Sequence, residues 1–120
     1  MSELRANTIS DAAGTGPVTL TGQSAAKAWV NFTGTGTTAI NEDYNYSSIS
    51  DLGTGDYELS FTNSFANATY STPYGTTTFG ILKNTSSFTS SGYNAVLVRT
   101  STGVAQDIDD GFFSNFGDLA

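Results

Sequence analysis

The stretch Ser47–Asn63, SSISDLGTGDYELSFTN, restricts the fold more than any other part of the chain. Its second half alternates strictly: Tyr57, Leu59 and Phe61 fall on one side, Glu58, Ser60 and Thr62 on the other. A period of two belongs to a strand with one buried face, and a helix would scatter the same side chains around its axis. Gly53-Thr54-Gly55 lies between Asp51 and Asp56, where the chain must reverse and glycine takes up positive φ at little steric cost. Upstream, Tyr44-Asn45-Tyr46 opens another alternating run that ends at Ile49, and the doubled Ser47-Ser48 puts Ile49 out of phase with the tyrosines. A bulge at the serines restores the phase, because it sets two residues against one. The prediction is a β-hairpin over residues 43–62.

The rest of the chain reads as further short strands. Ala28, Val30 and Phe32 share one strand face with Trp29 and Asn31 opposite; Gly34-Thr35-Gly36 turns the chain into a short strand over Thr38–Asn41. After the hairpin, Ala68, Tyr70, Thr72 and Tyr74 alternate up to a turn at Pro73-Tyr74-Gly75, and Pro73, which has no N–H for a ladder, puts that strand end at a sheet edge. Phe79–Lys83 is a short strand, and Asn84–Gly92 reads as a polar loop around Phe88. Within Tyr93–Thr100, Ala95-Val96-Leu97-Val98 is apolar on both faces, which suits a central strand or one that meets a partner subunit. The tail carries Phe112, Phe113, Phe116 and Leu119. Before the first strand, residues 2–23 have weak periodicity, with a break at Gly14–Pro17 and a short alternating piece over Val18–Thr21; Gln23–Lys27 could form one helical turn. Closely spaced short strands with Gly, Asn and Ser between them indicate a β-sandwich or small barrel.

Composition narrows the function. One domain of 120 residues is expected. Four basic residues against 11 acidic ones give a net charge of −7, and the four are scattered at Arg5, Lys27, Lys83 and Arg99. No patch exists to neutralise phosphates, so neither nucleic acid nor an anionic membrane surface is an expected partner. No apolar run is long enough to span a bilayer, and the N-terminus lacks the basic-then-apolar plan of a signal peptide. The expectation is a protein not exported by the usual route, although its Ser, Thr, Gly and aromatic content looks extracellular. Without cysteine, the fold must hold by packing or association.

Little in the chain suggests catalysis. There is no histidine, the commonest general base and metal ligand, and no cysteine nucleophile. Glu42, Asp43, Asp51, Asp56, Glu58 and the Asp107-Asp109-Asp110 cluster could in principle supply the paired carboxylates of a glycosidase, but most sit beside Gly or Asn, where acidic side chains cap turns. The last cluster departs from a calcium loop because Gly111 comes one place early. No enzyme activity, metal or cofactor is expected. The four Asn-x-Ser/Thr matches, at Asn31, Asn45, Asn67 and Asn84, are of the kind that such a composition produces by chance. Tyr44, Tyr46, Tyr57 and Tyr70 read as core or interface. Tyr74 and Phe88, in or beside turns, are the candidates for ligand contact. Trp29 reads as an intersubunit or arm-packing anchor.

ELRANTISDAAGTGPVTLTGQSAAKAWVNF (Glu3–Phe32), GTGTTAI (Gly34–Ile40), SSISDLGTGDYELSFTN (Ser47–Asn63) and NAVLVRT (Asn94–Thr100) together resemble a domain family of bacteriophage virion proteins. That family is met mainly at the receptor-binding tips of tail fibres, notably in phages of marine and freshwater bacteria. The resemblance covers most of the chain; GFFSNFG and the loops from Tyr74 to Gly92 depart from it, and no family binding residue is matched. It implies an all-β, antiparallel, jelly-roll-like β-sandwich over residues 27–120, preceded by an extended N-terminal arm over residues 1–26. It further implies a homotrimer without enzymatic activity, with Leu97 at the subunit seam. Met1 directly before the motif suggests a freestanding virion subunit, assembled in the host cytoplasm and released by lysis. Such a subunit is either a fibre-like adhesin for host-surface glycans or a capsid decoration protein whose arm grips another virion protein.

Overall fold

The alternating segments pair into two sheets. The computed structural model describes residues 2–14, 18, 21–78, 80–99 and 102–120, with the backbone alone for 83–86. Its strands are β1 (Ala28–Thr33), β2 (Ala39–Tyr44), β3 (Tyr46–Gly53), β4 (Asp56–Phe61), β5 (Tyr74–Thr76), β6 (Ile81–Thr89), β7 (Gly92–Val98) and β8 (Asp110–Asn115). One sheet has the order β2-β1-β8-β5 and the other β3-β4-β7-β6, with every pair antiparallel. No helix occurs among the described residues, so Gln23–Ala26 form no helical turn and Lys27 is a bend.

The expected hairpin is β3–β4. Its register slips between Tyr46 and Ser48, the bulge that the doubled serine requires, and Gly53 and Gly55 hold the turn at φ 146° and 68°. Its first strand begins at Tyr46 rather than at residue 43, because Asp43 and Tyr44 end β2 in the other sheet. Asn45 makes the corner at φ 63°, a left-handed conformation that asparagine tolerates better than most residues. Its side chain locks the corner: Nδ2 donates to the carbonyls of Lys27 and Asn63, both at 3.1 Å, and Oδ1 accepts from the Asn63 N–H at 2.7 Å.

The inward residues of both sheets form one core. Ala28, Val30 and Phe32 of β1 and Phe113 of β8 meet Tyr57, Leu59 and Phe61 of β4 and Tyr93, Ala95 and Leu97 of β7. Rings bridge the gap, with Phe32 against Tyr57 at 5.2 Å and Phe113 against Tyr93 at 5.9 Å. Buried tyrosines need partners for their polar tips. The Tyr57 hydroxyl donates to the Gly34 carbonyl at 3.0 Å and that of Tyr70 to the Gly92 carbonyl at 2.9 Å. The Tyr46 hydroxyl donates to Asn115 Oδ1 and lies 2.7 Å from that of Tyr93, while Asn115 Nδ2 donates to Thr72 Oγ1 at 3.0 Å. Burial pushes all four phenols above their ordinary pKa, that of Tyr57 up to about 12.

Two segments differ from their sequence reading. Asn84–Gly92 is mostly strand, since β6 continues to Thr89 with an irregularity between Ser86 and Thr89 where Ser87 takes φ 58°. The backbone ladder to β7 holds this polar segment as an edge strand. Conversely, 68–74 carries an isolated bridge from Ser71 to Phe116, and only Tyr74–Thr76 pairs as β5, at a sheet edge as Pro73 suggests. Phe79 and Thr100, the limits of two expected strands, lie outside the described residues, as do residues 15–17, 19 and 20.

At Gly92 of β7 a Cβ would stand 2.3 Å from the Leu59 carbonyl oxygen of β4. That neighbour is backbone and cannot swing aside. Gly92→Ala is expected to cost about 3 kcal/mol in urea denaturation. At Gly75 the nearest atom to a Cβ would lie 3.7 Å away, so Gly75→Ala should change stability by less than about 1 kcal/mol.

Candidate binding face

Because Ala28, Val30 and Phe32 turn inward, Trp29, Asn31 and Thr33 must face outward from the first sheet. Register then assembles their neighbours. Trp29 lies between Tyr44 of β2 and Ser114 of β8, and Asn31 between Glu42 and Phe112. Trp29 and Phe112 are therefore diagonal neighbours, within reach of each other's rings. Trp29, Tyr44 and Phe112 are 39%, 42% and 39% exposed, a high value for large aromatic side chains.

Amide and hydroxyl groups interleave with these rings. The pairing of β1 with β2 slips at Asn31/Phe32, leaving Asn41 unmatched, and its Nδ2 donates to Asn31 Oδ1 and Thr33 Oγ1, both at 3.0 Å. Thr33 Oγ1 in turn donates to Asp110 Oδ1 at 3.3 Å.

At the Trp29 end the face deepens into a cleft of about 430 Å³, lined by Ile9 and Val18 of the N-terminal segment together with Ala25, Ala26, Lys27, Trp29 and Tyr44. Lys27 is 5% exposed, and its ammonium donates to the Val18 carbonyl at 3.1 Å. Its backbone is fixed on both sides, N–H to the Asn115 carbonyl at 2.8 Å and carbonyl to Asn45 Nδ2. Among the described residues the one ion pair is Arg5–Glu3, and the polar partner given for the Lys27 ammonium is the neutral Val18 carbonyl.

The residues singled out from sequence have separate fates. Trp29 stands beside the N-terminal segment, where an arm-packing anchor would be. Leu97 is wholly buried: with Tyr93 and Ala95 it faces the chain's own core, so it has no surface to offer a subunit seam, and β7 is apolar on both faces as a central strand between β4 and β6. Tyr74 stacks on Phe113 at 6.1 Å and its phenol oxygen accepts the Leu82 N–H at 3.0 Å, tying β5 to β6. Phe88 packs against Tyr70 and Tyr93 at 5.2 and 5.5 Å, closing one end of the core. Both rings thus carry packing contacts, Tyr74 while 40% exposed and Phe88 while half-buried. Tyr44 and Phe112 are the outward rings that sequence reasoning missed. The signal for Phe112 was its phase relative to inward Phe113.

Three of the carboxylates serve the fold. Asp107 Oδ1 accepts from the Gly55 N–H at 2.7 Å, Asp51 Oδ1 from the Gly53 N–H at 2.9 Å, and Asp43 Oδ2 from the Tyr46 N–H at 3.0 Å. A smaller cleft of about 130 Å³ is lined by one carboxylate, Glu58, beside Ser87, Thr89 and Asn94. No protein-family model, curated protein or solved structure matches the chain.

Proposed function

We propose that this chain is a non-enzymatic bacteriophage virion surface protein, a homotrimeric, tail-fibre-tip-like subunit that attaches to the host surface. The observation that carries the binding role is the outward set Trp29, Tyr44 and Phe112, interleaved with Asn31, Asn41 and Ser114 on one sheet face. Rings that offer apolar faces beside amides and hydroxyls suit a carbohydrate, whose C–H and O–H groups alternate in the same way. Glycoside hydrolysis would ask for two carboxylates across a groove. Asp43, Asp51 and Asp107 are instead spent on turns. The phage setting and the trimer rest on the likeness of Glu3–Phe32, Ser47–Asn63 and Asn94–Thr100 to fibre-tip domains. The jelly-roll reading is supported by the nesting of the β4–β7 pair inside the chain-distant β1–β8 pair.

A second reading, capsid decoration, is favoured by the N-terminal segment. Residues 2–14 carry no strand, and Leu4 and Ile9 are 79% and 59% exposed, as an extended arm that grips another virion protein would present them. Quantitative mass spectrometry of purified virions separates the readings. A copy number near that of the portal or tail proteins is expected. A number on the scale of the major capsid protein would replace attachment with decoration, and absence from the virion would reject both.

A further inference from the structure

Lys27 poses a problem of charge. A cation that is 5% exposed, held by a neutral carbonyl and with no carboxylate in reach among the described residues, is costly unless an anion completes it. An ammonium has three donors, and among the described residues only Val18 takes one, which leaves the others for a ligand. Lys27 also lines the cleft whose wall is the cross-strand pair Trp29 and Tyr44. We propose that this cleft binds an acidic sugar residue, its carboxylate taken by Lys27 and its ring laid against Trp29 and Tyr44.

Charge and size select this class of ligand. A net charge of −7 repels polyanions, whereas a sugar acid brings one negative charge on a largely neutral body. A cleft of about 430 Å³ accepts one such ring, with further units extending over the open face. There Asn31 and Ser114, the neighbours of Trp29 and Phe112 in the register, offer an amide and a hydroxyl to sugar hydroxyls. The inference rests on the attachment reading and names the chemical class of its glycan.

Trp29 is the chain's single tryptophan, so its fluorescence reports on the cleft directly. The full chain is titrated with glucuronic acid and, separately, with glucose. Glucuronic acid should perturb the emission and bind at least about tenfold more tightly than glucose, the margin of one charge-assisted contact. Tyr44→Ala, which alters an exposed side chain, should weaken glucuronic acid about tenfold, and Leu52→Ala, at an exposed position of β3 in the other sheet, should leave the affinity unchanged. Lys27→Gln should erase the preference for the acid. Equal affinities for the two sugars, no response to glucuronic acid, or a preference that survives in folded Lys27→Gln would each overturn the site. If Lys27→Gln does not fold, the wild-type comparison and Tyr44→Ala still decide. Glucuronic acid binding without attachment to host cells would reject the attachment reading and keep the site. Attachment that glucuronic acid does not compete would reject the site and keep the reading.

Discussion

Above pH 10 the folded state is expected to lose stability by up to roughly 5 kcal/mol per pH unit, and the protein should unfold cooperatively between about pH 11 and 12. The cause is four tyrosines in the core, Tyr46, Tyr57, Tyr70 and Tyr93, between 0% and 7% exposed, whose phenols burial raises above the ordinary value of 10.0. Below pH 10 both folded and unfolded chains keep these protons, so the raised pKa values have no effect on stability. Above it the unfolded chain releases protons that the folded chain retains, and each phenol then contributes a loss of up to about 1.4 kcal/mol per pH unit. The phenolate absorbance of these four of the six tyrosines should appear together with the loss of the near-ultraviolet circular dichroism, in one steep transition. Ionisation of all six tyrosines with the tertiary signal intact would mean that these four phenols are open to solvent.

Phe113→Ala should cost about 3–5 kcal/mol and lower the melting temperature by roughly 10–25 °C, a large part of the margin of a small domain. Phe113 is 1% exposed and joins three elements: it stacks on Phe32 of β1 at 5.8 Å, on Tyr74 of β5 at 6.1 Å, and meets Tyr93 of the opposite sheet edge-on at 5.9 Å. Removing the ring leaves a cavity between sheets that the backbone ladders prevent from collapsing. Phe112→Ala, one residue away on the outer face, should cost less than about 1 kcal/mol. Calorimetry of the two variants tests the assignment of faces in β8, and equal losses would contradict it.

Strands that bury one face throughout their length were legible in the sequence. Tyr57–Phe61 and Ala28–Phe32 alternate because the core demands it, and the bulge at Ser47-Ser48 followed from the phase of Ile49. The Asn45 corner was not legible: Tyr44 and Tyr46 alternate on paper, yet a left-handed residue between them sends one ring outward from the first sheet and the other into the core. The continuation of β6 beyond Lys83 was missed because an edge strand can be held by its backbone ladder while its side-chain pattern resembles a loop. Of the candidate site, Trp29 was visible as an outward ring. Its partners Tyr44, Phe112 and Lys27 were not, since they come together through register between segments far apart in the chain, and the burial of a lysine is decided by packing.

Asn45 also settles how the molecule bears load. The chain bends at this residue from the outer strand of one sheet to the outer strand of the other, and Tyr74 ties the opposite pair of outer strands through the Leu82 N–H. Both rims of the sandwich are thus stitched, so mechanically the protein is a closed tube rather than two plates. A pull on the face that carries Trp29 cannot peel that sheet away alone; it must first open the hydrogen bonds of Asn45 to Lys27 and Asn63. Tension applied at the outward aromatic rings is shared between both walls.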